Sequence, residues 1–163
     1  MKTLIMILLA ISVIGFATFL TVIVKKFGVL RSISASDYEF TNPWAFTAFT
    51  WWCSFPIIMI GVLGPFNHVQ AILITFSGIS WAIVGAAPAA KNMGMEKDVH
   101  VIGAMGACFL AYAFVGSSPY WYIIIPAIAG TLYLWIKKTS NHTWWIETIA
   151  YAVNVLGLYL FLR

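Results

Sequence analysis

The chain has 163 residues, 62% hydrophobic and 17% aromatic but only 9% charged, with a mean hydropathy of +0.93 and a formal net charge of +4. A soluble domain carries about a quarter of its residues as charges, and disorder requires low hydrophobicity with high net charge, so a water-soluble globule and an unfolded chain are both excluded. The expected fold is all-α: one polytopic transmembrane six-helix bundle over residues 1–163, with no soluble domain.

A hydrocarbon core about 30 Å thick takes roughly 17–25 apolar residues per helix, and six stretches approach that length: 3–24, 44–63, 69–87, 101–116, 120–136 and 144–162. The first begins after Met1-Lys2 and runs apolar to Lys25-Lys26, past the ~7–15 residues of a secretory signal, so it reads as an uncleaved helix. The 25–43 connection is the longest. Its alternation through Ser32, Ile33, Ser34 and Ala35 suits an ordered segment along the membrane surface, with Ser34 or Ser36 capping a short helix. Ser34, Asp37 and Glu39 are its candidate binding residues.

Asn42-Pro43 reads as an N-cap and first helical residue for span two, and Pro56 and Pro126 should bend spans two and five. Spans three and four carry small residues at four-residue spacing, Gly78, Ala82 and Ala86 and then Gly103, Ala107 and Ala111, so each should pack closely on the other or on a neighbour. Spans four and five are the shortest and are joined by Ser117-Ser118-Pro119, which leaves a re-entrant hairpin as the alternative to two crossings. Ser140 or Asn141 can cap the last helix. Trp44, Tyr120-Trp121-Tyr122 and Trp144-Trp145 suit an interfacial belt, while Trp51-Trp52 and Trp81 lie deeper. Cys53 and Cys108 fall inside spans and read as packing residues.

Under six crossings, Lys25, Lys26, Arg31, Lys91, Lys97, Lys137 and Lys138 share one side and only Lys2 and Arg163 the other. The bias places loops 25–43, 88–99 and 137–143 in the cytoplasm and both termini outside, for a multi-pass protein of the cell membrane. These cations flank spans and form no basic patch, so nucleic acid is not an expected partner; the bilayer is, with a membrane-protein partner or a second copy meeting the small-residue faces.

All the acids lie on the loop side or just inside it: Asp37, Glu39, Glu96, Asp98 and Glu147. With His100 and His142 they form the one cluster able to carry chemistry. Asp98, His100 and Glu147 are the candidate catalytic residues, and Asp98, His100 and His142 the candidate ligands for a divalent metal such as zinc, the cofactor of a hydrolase attacking a lipid ester or amide. Against this, the chain has no HExxH, HxxxH or CxxC, and Asp98-x-His100 puts its side chains on different sides of a helical turn. The plainer alternative is that the acids favour a helix N-terminus and the histidines sit at the interface. Glu147 lies one turn inside the last span, and Asn154, seven residues on, extends a polar stripe on the same face as a candidate binding residue.

The 28–40 run with its Ser-Ile-Ser core, Gly85-Ala86-Ala87-Pro88 ending span three, and His100-x-x-Gly103-Ala104 opening span four resemble small six-span bacterial and phage membrane proteins of unknown function. More loosely, the chain is similar to the FRAG/DRAM/SFK membrane family. It resembles the CREST membrane hydrolases remotely, and that resemblance implies a metal held by Asp and His; the chain has His142 and Glu147 where that family has a paired HxxxH. The expected function is a binding, regulatory or accessory membrane module, with a metal-dependent lipid hydrolase and a small transporter or channel as alternatives.

Overall fold

The computed structural model describes residues 1–42, 44–87 and 95–163. The side chain of Glu96 lies outside the described set, as do Pro43, Lys91 and the rest of 88–94, so the expected Pro43 helix start is among the readings that fall there. Every regular element among the described residues is helical: α1 (Lys2–Phe27), α2 (Ser36–Glu39), α3 (Ala45–Leu63), α4 (His68–Ala86), α5 (Met95–Gly116), a 3-10 turn at Trp121–Ile123, α6 (Ile124–Lys137) and α7 (His142–Leu162). Five of them, α1, α3, α4, α5 and α7, are long and apolar enough to cross a membrane.

Local chemistry sets the boundaries. α1 stops where Gly28 takes φ 79°, a left-handed geometry that a side chain resists, and Lys25 and Lys26 occupy the last turn, where the helix dipole favours cations. Asn42 Oδ1 accepts the Trp44 amide at 3.0 Å just before α3. α4 opens with a reciprocal capping box: Asn67 Oδ1 accepts from the Gln70 amide at 2.9 Å, and Gln70 Oε1 accepts from the Asn67 amide. α5 starts at Met95 rather than at residue 101, because Lys97 and Asp98 end the apolar run without ending the helix.

Three expected terminus features differ. Pro126 is the third residue of α6, where a missing N–H forfeits no helical bond, so it opens that helix rather than bending it. Asn141 precedes α7 but makes no side-chain cap; the Trp144 amide instead donates to the Arg31 carbonyl at 3.1 Å. Neither Ser34 nor Ser36 caps α2. Ser32 Oγ accepts from the Ala35 amide, and Ser36 Oγ donates back to the Ile33 carbonyl at 2.6 Å.

The long helices alternate in direction. α3 runs against α1, with Ser12 beside Cys53 and Phe19 beside Phe49; α4 returns along α3, with Thr47 at Gly85 and Gly61 at Thr75; α5 returns along α4, with Ser77 at Ala107 and Gln70 at Ser117. α6 carries the chain back once more, since α5 and α7 lie parallel, with Ala107 and Ala150 near one end and Val115 against Gly157 near the other. At ~1.5 Å per α residue and ~2 Å per 3-10 residue, the 3-10 turn and α6 together rise about 27 Å. The path ends where it began: Lys2 Nζ donates to the Arg163 carbonyl at 2.8 Å.

Between helices in hydrocarbon, packing contacts rather than water exclusion supply the attraction, so close backbone approach matters. A Cβ on Gly78 would sit 2.7 Å from Ile58 Cγ1 and 3.0 Å from the Ile58 amide nitrogen; one on Gly103 would sit 3.0 Å from the Ser80 carbonyl. The two small-residue series therefore serve different contacts, Gly78 seating α4 on α3 and Gly103 seating α5 on α4. Two apolar clusters divide the core. One, near the chain termini, gathers Ile5, Leu9, Ile57, Ile60, Ile74, Phe114 and Leu158; the other, toward the long loop, gathers Phe16, Ile23, Ile33, Phe46, Phe49, Val84 and Trp144. Trp144, 2% exposed, is a core residue and not part of an interfacial belt.

Candidate functional site

The long loop turns into the bundle instead of lying along its surface. Ile33 is buried in the second cluster, and its amide donates to Glu147 Oε2 at 2.6 Å. One residue pair earlier, the Arg31 carbonyl takes the Trp144 amide. The start of α7 thus supplies a donor and an acceptor that the loop backbone matches at Arg31 and Ile33, which accounts for the inward path. Asp37 is also buried, with Oδ1 unpartnered among the described residues, whereas Glu39 is exposed beside Arg31 and Tyr38 on the outer side of the loop.

Beneath Ile33 and Ser34 lies a cavity of about 90 Å³ between α1, α3, α4, α5 and α7. One wall is aromatic. Phe16 stacks on Tyr151 with ring centroids 3.7 Å apart, and Trp81 meets Tyr151 edge-on at 5.2 Å and Phe49 at 6.3 Å. The facing wall is built of Ala104, Ala107, Cys108 and Ala111 on α5 and Ala150 on α7. These short side chains leave unfilled volume beside the rings.

The polar lining comes from Ser34, Ser77, Glu147, Tyr151 and Asn154. Ser77 Oγ donates to the Ala107 carbonyl at 2.9 Å. Ser12 Oγ donates to the Cys53 carbonyl at 2.9 Å and lies 3.0 Å from the Tyr151 hydroxyl, which therefore donates to Ser12. Asn154 is different: it is 5% exposed, and its Oδ1 has no hydrogen-bond partner among the described residues. Glu147 and Asn154 stand two turns apart on one face of α7, about 10 Å along the axis, at the outer and inner ends of the cavity.

The structure brings Ser34, Glu147 and Asn154 together around this space and leaves the other expected residues apart. Asp98 is exposed on the first turns of α5. His100 turns inward, donating from Nδ1 to the Ala87 carbonyl at 2.9 Å and lying 6.4 Å from the Phe46 ring. His142 donates from Nδ1 to the Thr139 carbonyl at 2.7 Å, beside the last loop. Among the described residues, no three His, Cys, Asp or Glu side chains approach one point as metal ligands. The expected opposition of Asp98 and His100 across a turn is what the helix shows.

No family model, curated protein or solved structure matches the chain. The functional reading therefore stands on geometry. Sequence reasoning passed over Phe16, Ser77 and Tyr151 as lining residues; Tyr151 carried a usable signal, since it follows Glu147 by four residues and shares its face. Trp81 carried another, as an aromatic placed too deep for an interfacial belt.

Proposed function

We propose that this chain is a six-crossing protein of the cell membrane that acts as a binding or regulatory module, holding a small molecule in the cavity under the 28–40 loop. The observation that carries the reading is the cavity: about 90 Å³ of unfilled space inside the bundle, with the polar side chains of Glu147 and Asn154 on its lining. Unfilled space forfeits packing contacts, and larger residues at Ala104, Ala107 or Ala111 would have closed it with apolar contacts. Both the space and its polar lining fit a site for a guest.

Six crossings are supported by the 27 Å rise of the 3-10 turn and α6 and by the meeting of Lys2 with Arg163, which needs an even number of passes. The end bearing Lys25, Lys26, Arg31, Lys137 and Lys138 is then cytoplasmic. Two alternatives have less support. A transport path would have to continue past Asn154, where Ile57, Ile60, Ile74, Phe114 and Leu158 pack as an apolar plug. A metal-dependent hydrolase would need Asp98, His100 and His142 to converge; Asp98 is exposed, and His100 and His142 donate to separate carbonyls, of Ala87 and Thr139. Gly78 and Gly103 are occupied inside the bundle, which favours a small guest over a partner helix.

The test is cavity filling. Wild-type chain and Ala107→Leu are purified in lipid nanodiscs, denatured, and their extracts compared by small-molecule mass spectrometry. The expected result is a compound approaching one per chain in the wild type and lost in the variant, with equal helical circular dichroism. Equal extracts from the two proteins would refute the reading.

A further inference from the structure

We infer that the guest is uncharged and hydrocarbon-like: a compact apolar molecule of about four heavy atoms, held between the rings and the alanines by packing. The inference rests on the reading of the cavity as a binding site and adds the chemistry of its occupant.

The two walls are carbon. Phe16, Phe49, Trp81 and Tyr151 pack against one another, stacked, tilted or edge-on, so the protein itself fixes their orientation before any guest arrives. Opposite them Ala104, Ala107 and Ala111 recur at three- and four-residue spacing, which sets their methyl groups along one side of α5.

Polar groups on the lining are spent on the protein, and their bonds run between elements. Ser77 ties α4 to α5 through the Ala107 carbonyl, Tyr151 ties α7 to α1 through Ser12, and Glu147 Oε2 ties α7 to the loop through the Ile33 amide. Ser34 Oγ lies 3.0 Å from Ser32 Oγ, and Asn154 Oδ1 is closed off from the space. This polar frame holds the walls at their spacing. What a guest meets across the middle of the cavity is carbon.

Selection against charge follows. Lys, Arg and His are absent from the described lining, so an anion meets no cation there. An ammonium would exchange its hydration shell for carbon walls, with Glu147 at the roof already engaged by Ile33. A neutral apolar molecule has no such shell to lose, and by filling the space it restores the contacts that a void forfeits.

Volume sets the size. A dry apolar cavity of about 150 Å³ admits benzene, with its six heavy atoms, so about 90 Å³ admits about four. Lipid tails around the helices dissolve molecules of this class and so bring them to the protein.

The experiment uses the full chain in lipid nanodiscs and three probes that share one four-heavy-atom skeleton: 2-chloropropane as apolar molecule, 2-propanol as neutral hydrogen-bonding molecule and isopropylamine as cation. A ligand that binds the folded state raises the thermal midpoint as its concentration exceeds its Kd. Ala107→Leu, whose cavity is filled, gives the response of the bilayer alone, and Ala104→Val fills the space from one turn away should the first variant not fold. The expected result is that 2-chloropropane stabilises wild type over the filled variant at a concentration at least ~10-fold lower than 2-propanol, with no such difference from isopropylamine. Equal or stronger stabilisation of wild type over the variant by 2-propanol or isopropylamine overturns the hydrocarbon assignment while leaving the cavity a binding site. If no probe separates the two proteins, and wild-type extracts still carry a compound that Ala107→Leu loses, the assignment falls in the same way. No response and no such compound removes both readings.

Discussion

Replacing Glu147 with alanine removes the acceptor for the Ile33 amide, and the structure sets the size of the effect. That N–H sits above a buried side chain, so leaving it unpaired costs roughly 1–3 kcal/mol unless the loop lifts to reach water. The second tie, from the Trp144 amide to the Arg31 carbonyl, stays in place, so the loop should open locally without detaching. At 1.4 kcal/mol per factor of ten, the open state gains roughly 5- to 150-fold in population. Hydrogen exchange read by mass spectrometry in nanodiscs measures it directly. Peptides covering 28–40 should exchange faster by that factor in Glu147→Ala, peptides from α4 should not change, and Glu147→Gln should stay close to wild type. Exchange within twofold of wild type in the alanine variant, or equal acceleration in the glutamine variant, would refute the claim that this bond holds the loop.

Two further outcomes follow from helix packing and chain path. Gly78→Ala should destabilise the purified protein by about 1–3 kcal/mol in a reversible unfolding assay, because its Cβ meets the Ile58 backbone; Gly130→Ala, whose nearest neighbour would be Ile149 Cδ1 at 3.6 Å, should be neutral or slightly stabilising. Topology reporters fused before Met1 and after Arg163 should give the same sidedness, opposite to one inserted in the 25–43 loop. Reporters split between the two faces would overturn the even count of passes.

Much of the architecture was legible because hydrocarbon imposes a length on apolar runs. Residues 3–24 and 144–162 fall within α1 and α7, 44–63 differs from α3 by one residue at its start, and 69–87 differs from α4 by one residue at each end. Hydropathy does not register helical turns that carry charge, which is why Lys97 and Asp98 concealed the start of α5. It also fails to separate Pro in a first turn from Pro in mid-helix: Pro126 and Pro56 look alike until the helix start is known.

The site was half legible. Glu147 and Asn154 are conspicuous, since polar side chains inside a span need a reason, and their spacing gives a common face. The loop's inward turn was not, because it depends on a match between the Ile33 amide and a carboxylate 114 positions away. Nor was the cavity, which arises only when the alanines of α5 are set opposite rings from α1, α3, α4 and α7. Asp98, His100 and His142 looked like a cluster through proximity in the loops, and helical phase and carbonyl partners separate them.

The contact between Lys2 and the Arg163 carbonyl bears on how such a chain could be enlarged. With the six crossings proposed above, a second copy joined in tandem behind Arg163 by a short linker would enter the bilayer in the same sense as the first, so duplication would produce twin lobes facing one compartment, never an antiparallel pair. Growth of that kind would double the cavities while keeping both toward the same face.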